Sequence, residues 1–116
     1  MSARFAALVI AASIAAPAMA ASPEKGKAAF VKYGCWQCHG YEGQGAVTGV
    51  KLAPGPIALD AMNAFVRNTR GAMPPYGKAV LPDEDLADIH AYLASIPKGP
   101  DARSIRELDA ITAAPR

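Results

Sequence analysis

Apolar residues recur at helical spacing in three stretches of the chain, and no stretch alternates with the two-residue period of a strand. The first stretch predicts a helix from Pro23 to Tyr33, with Gly26, Ala29, Phe30 and Tyr33 along one side. Ser22 stands as its N-cap, Pro23 at the first helical position, Glu24 in the first turn and Gly34 at its end. A shorter helix is predicted over Ala61 to Asn68, capped by Asp60, with Met62, Phe65 and Val66 on its apolar side. The clearest helix runs from Pro82 or Asp83 to Ile96. Acids fill its first turn, Leu86, Ile89, Leu93 and Ile96 alternate at spacings of three and four, and Pro97 stops it.

The connecting segments are rich in turn formers. Gly40 to Pro56 holds five Gly and two Pro without sustained periodicity, the pattern of an extended loop wrapped around something. A phosphate loop through Gly45, Gly49 and Lys51 fails on spacing, and no Ser or Thr follows the lysine. Thr69 to Leu81 is a second loop, marked by Gly71, Pro74, Pro75 and Gly77. The tail from Lys98 to Arg116 has weak helical periodicity through Ile105, Leu108 and Ile111. The expected architecture is all-α and single-domain.

The first residues read as a removable leader. Arg4 precedes an apolar run from Phe5 to Ala16, and Pro17 breaks it before Ala18-Met19-Ala20, a small-x-small cleavage site. A membrane-spanning helix needs about 20 apolar residues, so this shorter run suits a signal peptide better than a retained anchor. The expected division is a signal peptide over 1–20, a folded domain over 21–97 and a tail over 98–116, with export to the periplasm. Export places the two cysteines in an oxidising space, where a free pair tends to become a disulfide unless something consumes it.

Composition sharpens the picture in one respect. The 116 residues are 52% hydrophobic, but alanine inflates that share: 10 of the 26 Ala lie in the first 21 positions. Three Phe, one Trp and four Tyr make a thin core, and domains this small often need a disulfide, metal or cofactor. The formal charge of +2 excludes a strong nucleic-acid footprint. Without the leader, eleven basic and ten acidic side chains remain, so docking to a partner depends on how charge is distributed.

Cys35-Trp36-Gln37-Cys38-His39 is the pattern for covalent attachment of c-type haem. Two thiols three positions apart, just past a helix end, can each add to one of two neighbouring vinyl groups, and the next imidazole then reaches the iron. A thioredoxin-like redox pair uses the same Cys spacing but needs flanking strands, which this chain lacks. A structural zinc site needs four ligands, and the chain has two Cys and two His in all, with His90 far along it. A structural disulfide does not require His39. Haem also answers the thin core, since its apolar faces can be packed by Phe30, Val47, Leu52, Phe65, Leu86 and Leu93.

From Ser22 to Pro97 the chain resembles a class I cytochrome c: an N-terminal helix with Gly26 and Phe30, the haem motif, a middle loop, a Met loop, and a last helix with Tyr92 and Leu93. The resemblance implies that the first and last helices cross, with Gly26 permitting the approach and Phe30 packing beside Tyr92 or Leu93. It implies one haem c tethered by Cys35 and Cys38, with His39 as proximal ligand. For the sixth position the thioether candidates are Met62 and Met73, and His90 is the nitrogen candidate. Met73, in Arg70-Gly71-Ala72-Met73-Pro74-Pro75-Tyr76, stands where this family places its axial Met. Pro74 and Pro75 deny that segment a helix, whereas Met62 lies on a predicted helix as an ordinary core residue. His90 falls off the Leu86 and Leu93 seam, which makes it an edge residue.

Relatives usually carry a Gly-Pro pair whose proline carbonyl accepts the hydrogen bond from the axial imidazole, and here that stretch reads Gly49-Val50-Lys51-Leu52. Val50, Pro54 and Pro56 remain candidates for the carbonyl, which orients the imidazole and tunes the potential. Lys51, Arg67, Arg70 and Lys78 cluster in loops expected to rim the haem, and Asp83, Glu84, Asp85 and Asp88 gather at the start of the last helix. Each group reads either as a docking surface or as solvated surface with helix-capping acids. The chain is similar to small single-haem cytochromes that accept electrons from periplasmic dehydrogenases, some of them fixed subunits of flavin or molybdenum enzymes. That resemblance implies an electron carrier working between a dehydrogenase and a terminal oxidase or another cytochrome. A haem sensor or enzyme with an open sixth site is the alternative. No paired-carboxylate, Ser-His or Cys-His set assigns catalysis to the chain alone.

Overall fold

The chain turns helical at Ser22, whose hydroxyl accepts from the Lys25 N–H at 3.3 Å and caps helix α1 (Pro23–Lys32). Such a cap contributes about 1 kcal/mol. The computed structural model describes residues 20–108; the leader before Ala20 and the end of the tail, Ile111 included, lie outside them. α1 stops at Tyr33, and Gly34 reverses the chain with a φ of 77°, a conformation costly for any residue with a Cβ. One further turn follows immediately, α2 (Trp36–His39).

α3 (Leu59–Asn68) begins earlier than the apolar pattern predicts. Ala58 occupies the cap position without a side-chain hydrogen bond, and Asp60 lies inside the first turn, where a carboxylate complements the helix dipole instead of capping. Met62 and Val66, four positions apart, form its buried line. Phe65 lies about 80° from the centre of that line, given about 100° per residue, and is 58% exposed. α4 (Asp83–Ser95) matches its expected bounds, with Ile96 as its C-cap ahead of Pro97. A 3-10 turn, Ala102–Ser104, follows in the tail. Among the described residues there is no strand, and no helix is long and apolar enough to cross a membrane.

The core forms where α1 packs on α4. A Cβ at Gly26 would lie 1.9 Å from the Asp88 carbonyl oxygen and 2.8 Å from Tyr92 Cβ, so the two helices approach backbone to backbone at a residue without a side chain. One turn on, Phe30 meets Tyr92 with ring centroids 5.8 Å apart and planes tilted by 58°. Leu86, Ile89 and Leu93 bury the facing side of α4, and α3 brings Met62 and Val66 into the same core. Each large side chain buried there contributes about 1.5–3 kcal/mol. Two acids of α4 brace this crossing: Asp88 accepts the Ser22 N–H at 2.7 Å, and Asp85 accepts the Tyr33 hydroxyl.

Candidate functional site

Cys35, Cys38 and His39 project from one turn of helix within an arc of about 100°, because positions three and four apart share a face. The turn is tied to α1 by the Cys35 N–H on the Phe30 carbonyl at 3.1 Å and closed by the His39 N–H on the Cys35 carbonyl at 3.0 Å. Both thiols are free, Cys35 half-buried and Cys38 exposed. Burial pushes the Cys35 thiol up to about 11, so it is protonated at neutral pH. A disulfide-exchange cysteine has the opposite perturbation, a lowered pKa that makes it a ready thiolate. Trp36, between the two cysteines, stacks on Tyr41 with centroids 4.6 Å apart and planes 12° from parallel.

His39 is buried, and its Nδ1 lies 2.7 Å from the Val50 carbonyl oxygen. A carbonyl only accepts, so Nδ1 carries the hydrogen and Nε2 keeps the lone pair that a metal requires. Of the three candidate carbonyls it is Val50, not Pro54 or Pro56, that meets the imidazole. The loop after the motif is folded to deliver it. Gly45 N–H donates to the His39 carbonyl at 2.8 Å, and the N–H groups of Leu52 and Ala53 both donate to the Gly43 carbonyl at 2.7 and 2.9 Å. Tyr92 ties the loop to α4 through a 2.9 Å bond to the Tyr41 carbonyl. Gly49 makes the close approach: a Cβ there would lie 2.2 Å from the Cys38 carbonyl oxygen and 3.0 Å from His39 Nδ1.

Met73 comes from a separate segment, half-buried and packed, with Tyr76, against the same core as Cys35. The Thr69 hydroxyl donates to the Met73 carbonyl at 2.6 Å. Tyr76 is held three ways: its N–H donates to the Val66 carbonyl at 2.9 Å, its carbonyl accepts from Arg67 Nη1 at 2.8 Å, and its hydroxyl donates to the Tyr33 carbonyl at 3.0 Å. Burial first, and the nearby Cys35 and Cys38 thiols second, raise the Tyr76 phenol above its ordinary range. The Met segment is thus tied to the residues just before the cysteine turn. Of the other two candidates, Met62 is buried within that same core on α3, and His90 sits half-buried with Nε2 3.0 Å from the Ile57 carbonyl.

The charged clusters differ from a simple docking rim. Arg67 and Lys78 both pair with Asp83 at 2.7 Å, and Asn63 adds a 3.2 Å bond to the same carboxylate. Those three donors hold the Asp83 carboxyl down at about 2. Asp85 and Asp88 are engaged with α1, as described above. Lys51 and Arg70 remain exposed. Of the residues expected to pack a haem, Phe30, Leu86 and Leu93 form the helix crossing, Leu52 packs at its edge, and Val47 and Phe65 are exposed.

Residues 21–93 match the family described as cytochrome c oxidase, cbb3-type, subunit III, a c-type cytochrome domain. The chain belongs to this family of c-type cytochromes. Neither the curated proteins nor the solved structures hold a match to it. The cytochrome therefore has the all-α cytochrome c fold, binds one covalently attached haem c and transfers electrons. Its donor set fits that group: two free thiols share a face with an imidazole whose Nδ1 is already engaged, and Gly49 leaves no side chain between the loop and that turn. Thr69, Arg67 and Tyr76, which hold the Met73 segment, carry no local sequence signal, because each acts through a backbone atom of another segment or turn.

Proposed function

We propose that Cys35 and Cys38 carry the haem through thioether bonds, that His39 Nε2 is the proximal iron ligand and that the Met73 sulfur is the distal one. The observation that carries this reading is the 2.7 Å bond between His39 Nδ1 and the Val50 carbonyl, which fixes the tautomer and ring orientation an axial imidazole needs. When bound, the haem supplies a one-electron ferric/ferrous couple. The chain's contribution is to orient the imidazole, to bring up a soft thioether that favours the ferrous state, and to leave no coordination position for a substrate. That role is electron carriage, with no catalysis by this chain alone.

The cellular setting follows from the leader pattern. The protein is exported to the periplasm with removal of residues 1–20, leaving the cytochrome domain over 21–97 and a tail over 98–116. There it accepts single electrons from a dehydrogenase and passes them to an oxidase or another cytochrome. A second reading, a fixed subunit of an oxidoreductase complex, is favoured by the family description, which names an oxidase subunit. Co-purification at a constant stoichiometry distinguishes it from a free carrier.

The test is the visible spectrum of the haem-loaded protein in both oxidation states, with and without carbon monoxide. A low-spin ferrous spectrum indifferent to carbon monoxide, with the weak far-red ferric band of sulfur ligation, is the expected result. Rapid carbon monoxide binding would instead identify an open sixth site and the haem sensor or enzyme alternative.

A further inference from the structure

The segment that brings Met73 forward cannot hold itself. Pro74 and Pro75 have no N–H, so no backbone donor exists between Met73 and Tyr76. Its position is set by what grips its two ends, and at the Tyr76 end Arg67 holds the carbonyl beside the bonds that the Tyr76 N–H and hydroxyl make to Val66 and Tyr33. The guanidinium forks: Nη1 takes the Tyr76 carbonyl at 2.8 Å and Nη2 takes Asp83 Oδ1, at the start of α4, at 2.7 Å. One side chain from α3 therefore ties the Met segment to α4. Arg67 is only 11% exposed at its side chain, and its Nε is buried without a hydrogen-bond partner among the described residues. A guanidinium displayed for docking would keep its donors in water, whereas this one is committed inward.

We propose that Arg67 is a positioning residue for the sixth iron ligand, holding the Met73 segment in place through the Tyr76 carbonyl. This rests on the reading of Met73 as the axial thioether. The bond between a thioether and ferric iron is weak enough to compete with external ligands, so the fraction of molecules with Met73 displaced depends on how firmly its segment is anchored. An external ligand binds only that displaced fraction, and its apparent affinity rises in proportion. Charge-assisted hydrogen bonds from a largely buried guanidinium are among the stronger tethers available, and Arg is suited to this one because its rigid fork reaches two acceptors at once.

The experiment titrates ferric holoprotein with imidazole and follows the far-red band, in wild type, Arg67→Ala, Arg67→Lys and Met73→Ala. Met73→Ala abolishes the band and tightens imidazole binding; if it changes neither, the axial reading is wrong and this proposal falls with it. Given that Met73→Ala behaves as expected, Arg67→Ala binds imidazole at least about tenfold more tightly than wild type while retaining the band in its absence. An Arg67→Ala affinity within about twofold of wild type overturns the positioning role and leaves the Met73 assignment intact, even if the denaturation midpoint falls. Should Arg67→Ala yield no holoprotein, Arg67→Lys answers the same question. One ammonium cannot hold the Tyr76 carbonyl and Asp83 in a fork, so its imidazole affinity rises severalfold, and equality with wild type overturns the proposal.

Discussion

His39 and Val50 are joined by a 2.7 Å hydrogen bond between an imidazole nitrogen and a backbone carbonyl eleven positions along the chain. The contact uses nothing of the valine side chain, which is largely exposed. What it does require is the path of the loop, and that path runs through Gly49, pressed against Cys38 and His39.

Val50→Ala is therefore expected to leave the spectrum and the potential of the holoprotein unchanged, while Gly49→Ala disturbs both. The added methyl has no room between the Cys38 carbonyl and His39 Nδ1, and overpacking of this kind costs about 1–3 kcal/mol. Spectra and redox titrations of the two variants side by side check it. A silent Gly49→Ala would show that the loop can shift without moving the imidazole.

Replacing the two methionines separates ligation from packing. Met73→Ala is expected to lower the reduction potential, remove the far-red ferric band and admit carbon monoxide to the ferrous iron. Met62→Ala should keep the spectrum and lose about 2–5 kcal/mol of stability, the usual cost of truncating a buried Met. Carbon monoxide difference spectra and urea denaturation of both proteins decide it, and the opposite assignment of effects would exchange their roles.

In an exposed helix Gly→Ala stabilises by about 1 kcal/mol, but at Gly26 the sign is expected to reverse. The new Cβ would stand 1.9 Å from the Asp88 carbonyl oxygen, so α1 and α4 must separate and the Phe30–Tyr92 contact opens. A loss of at least about 2 kcal/mol, seen as a lower urea midpoint at unchanged slope, is the expected outcome. An unchanged or higher midpoint would mean the crossing can be rebuilt at no cost.

Asp83 makes stability sensitive to acid. Its carboxyl lies at about 2, below the ordinary 3.8, through bonds from Lys78, then Arg67, then Asn63. A depressed carboxylate stabilises the fold at pH values above its unfolded pKa, and that contribution disappears as pH falls through the folded value. Asp83→Asn should thus be less stable than wild type near neutrality, with the gap closing between about pH 4 and pH 2. Urea midpoints across that range test it; a gap independent of pH would assign the loss to packing instead of charge.

The bounds of α1 and α4 were legible because their signals are local: Ser22, Pro23 and Gly34 for one, an acidic first turn and Pro97 for the other. The haem motif was legible for the same reason, since Cys35, Cys38 and His39 lie within five positions. The start of α3 was not, because Asp60 has the chemistry of a cap but Ala58 has the position. Phe65 falls on the apolar side with Met62 and Val66 by sequence spacing and lies off the buried line by rotation. Among three carbonyls for His39, only the folding back of the loop selects Val50. Arg67 and Lys78 stand with Lys51 and Arg70 in a basic group that the sequence leaves open between docking and solvated surface; both pair with Asp83, sixteen and five positions away, and of the two only Arg67 is drawn into the fold while Lys78 stays exposed.

On the proposed ligation, the residues on the two sides of the iron would come from segments of different reach. Cys35, Cys38 and His39 come from one turn, and the Val50 carbonyl that meets the imidazole lies in the loop that follows it. The Met73 segment is tied to the chain before that turn by Tyr76 on Tyr33, across 43 positions, whereas the His39–Val50 bond itself spans eleven and only the loop's further tie to α4, Tyr92 on Tyr41, spans 51. Contacts between near neighbours form early, and those closing long stretches of chain wait for the rest. On that ligation, maturation would have an order in time: cofactor and His39 can be joined on a chain that is still largely open, and Met73 would arrive last. On the reverse path the same difference in reach would release the Met73 side first, and thioether bonds at Cys35 and Cys38 would keep the haem on the partly unfolded chain.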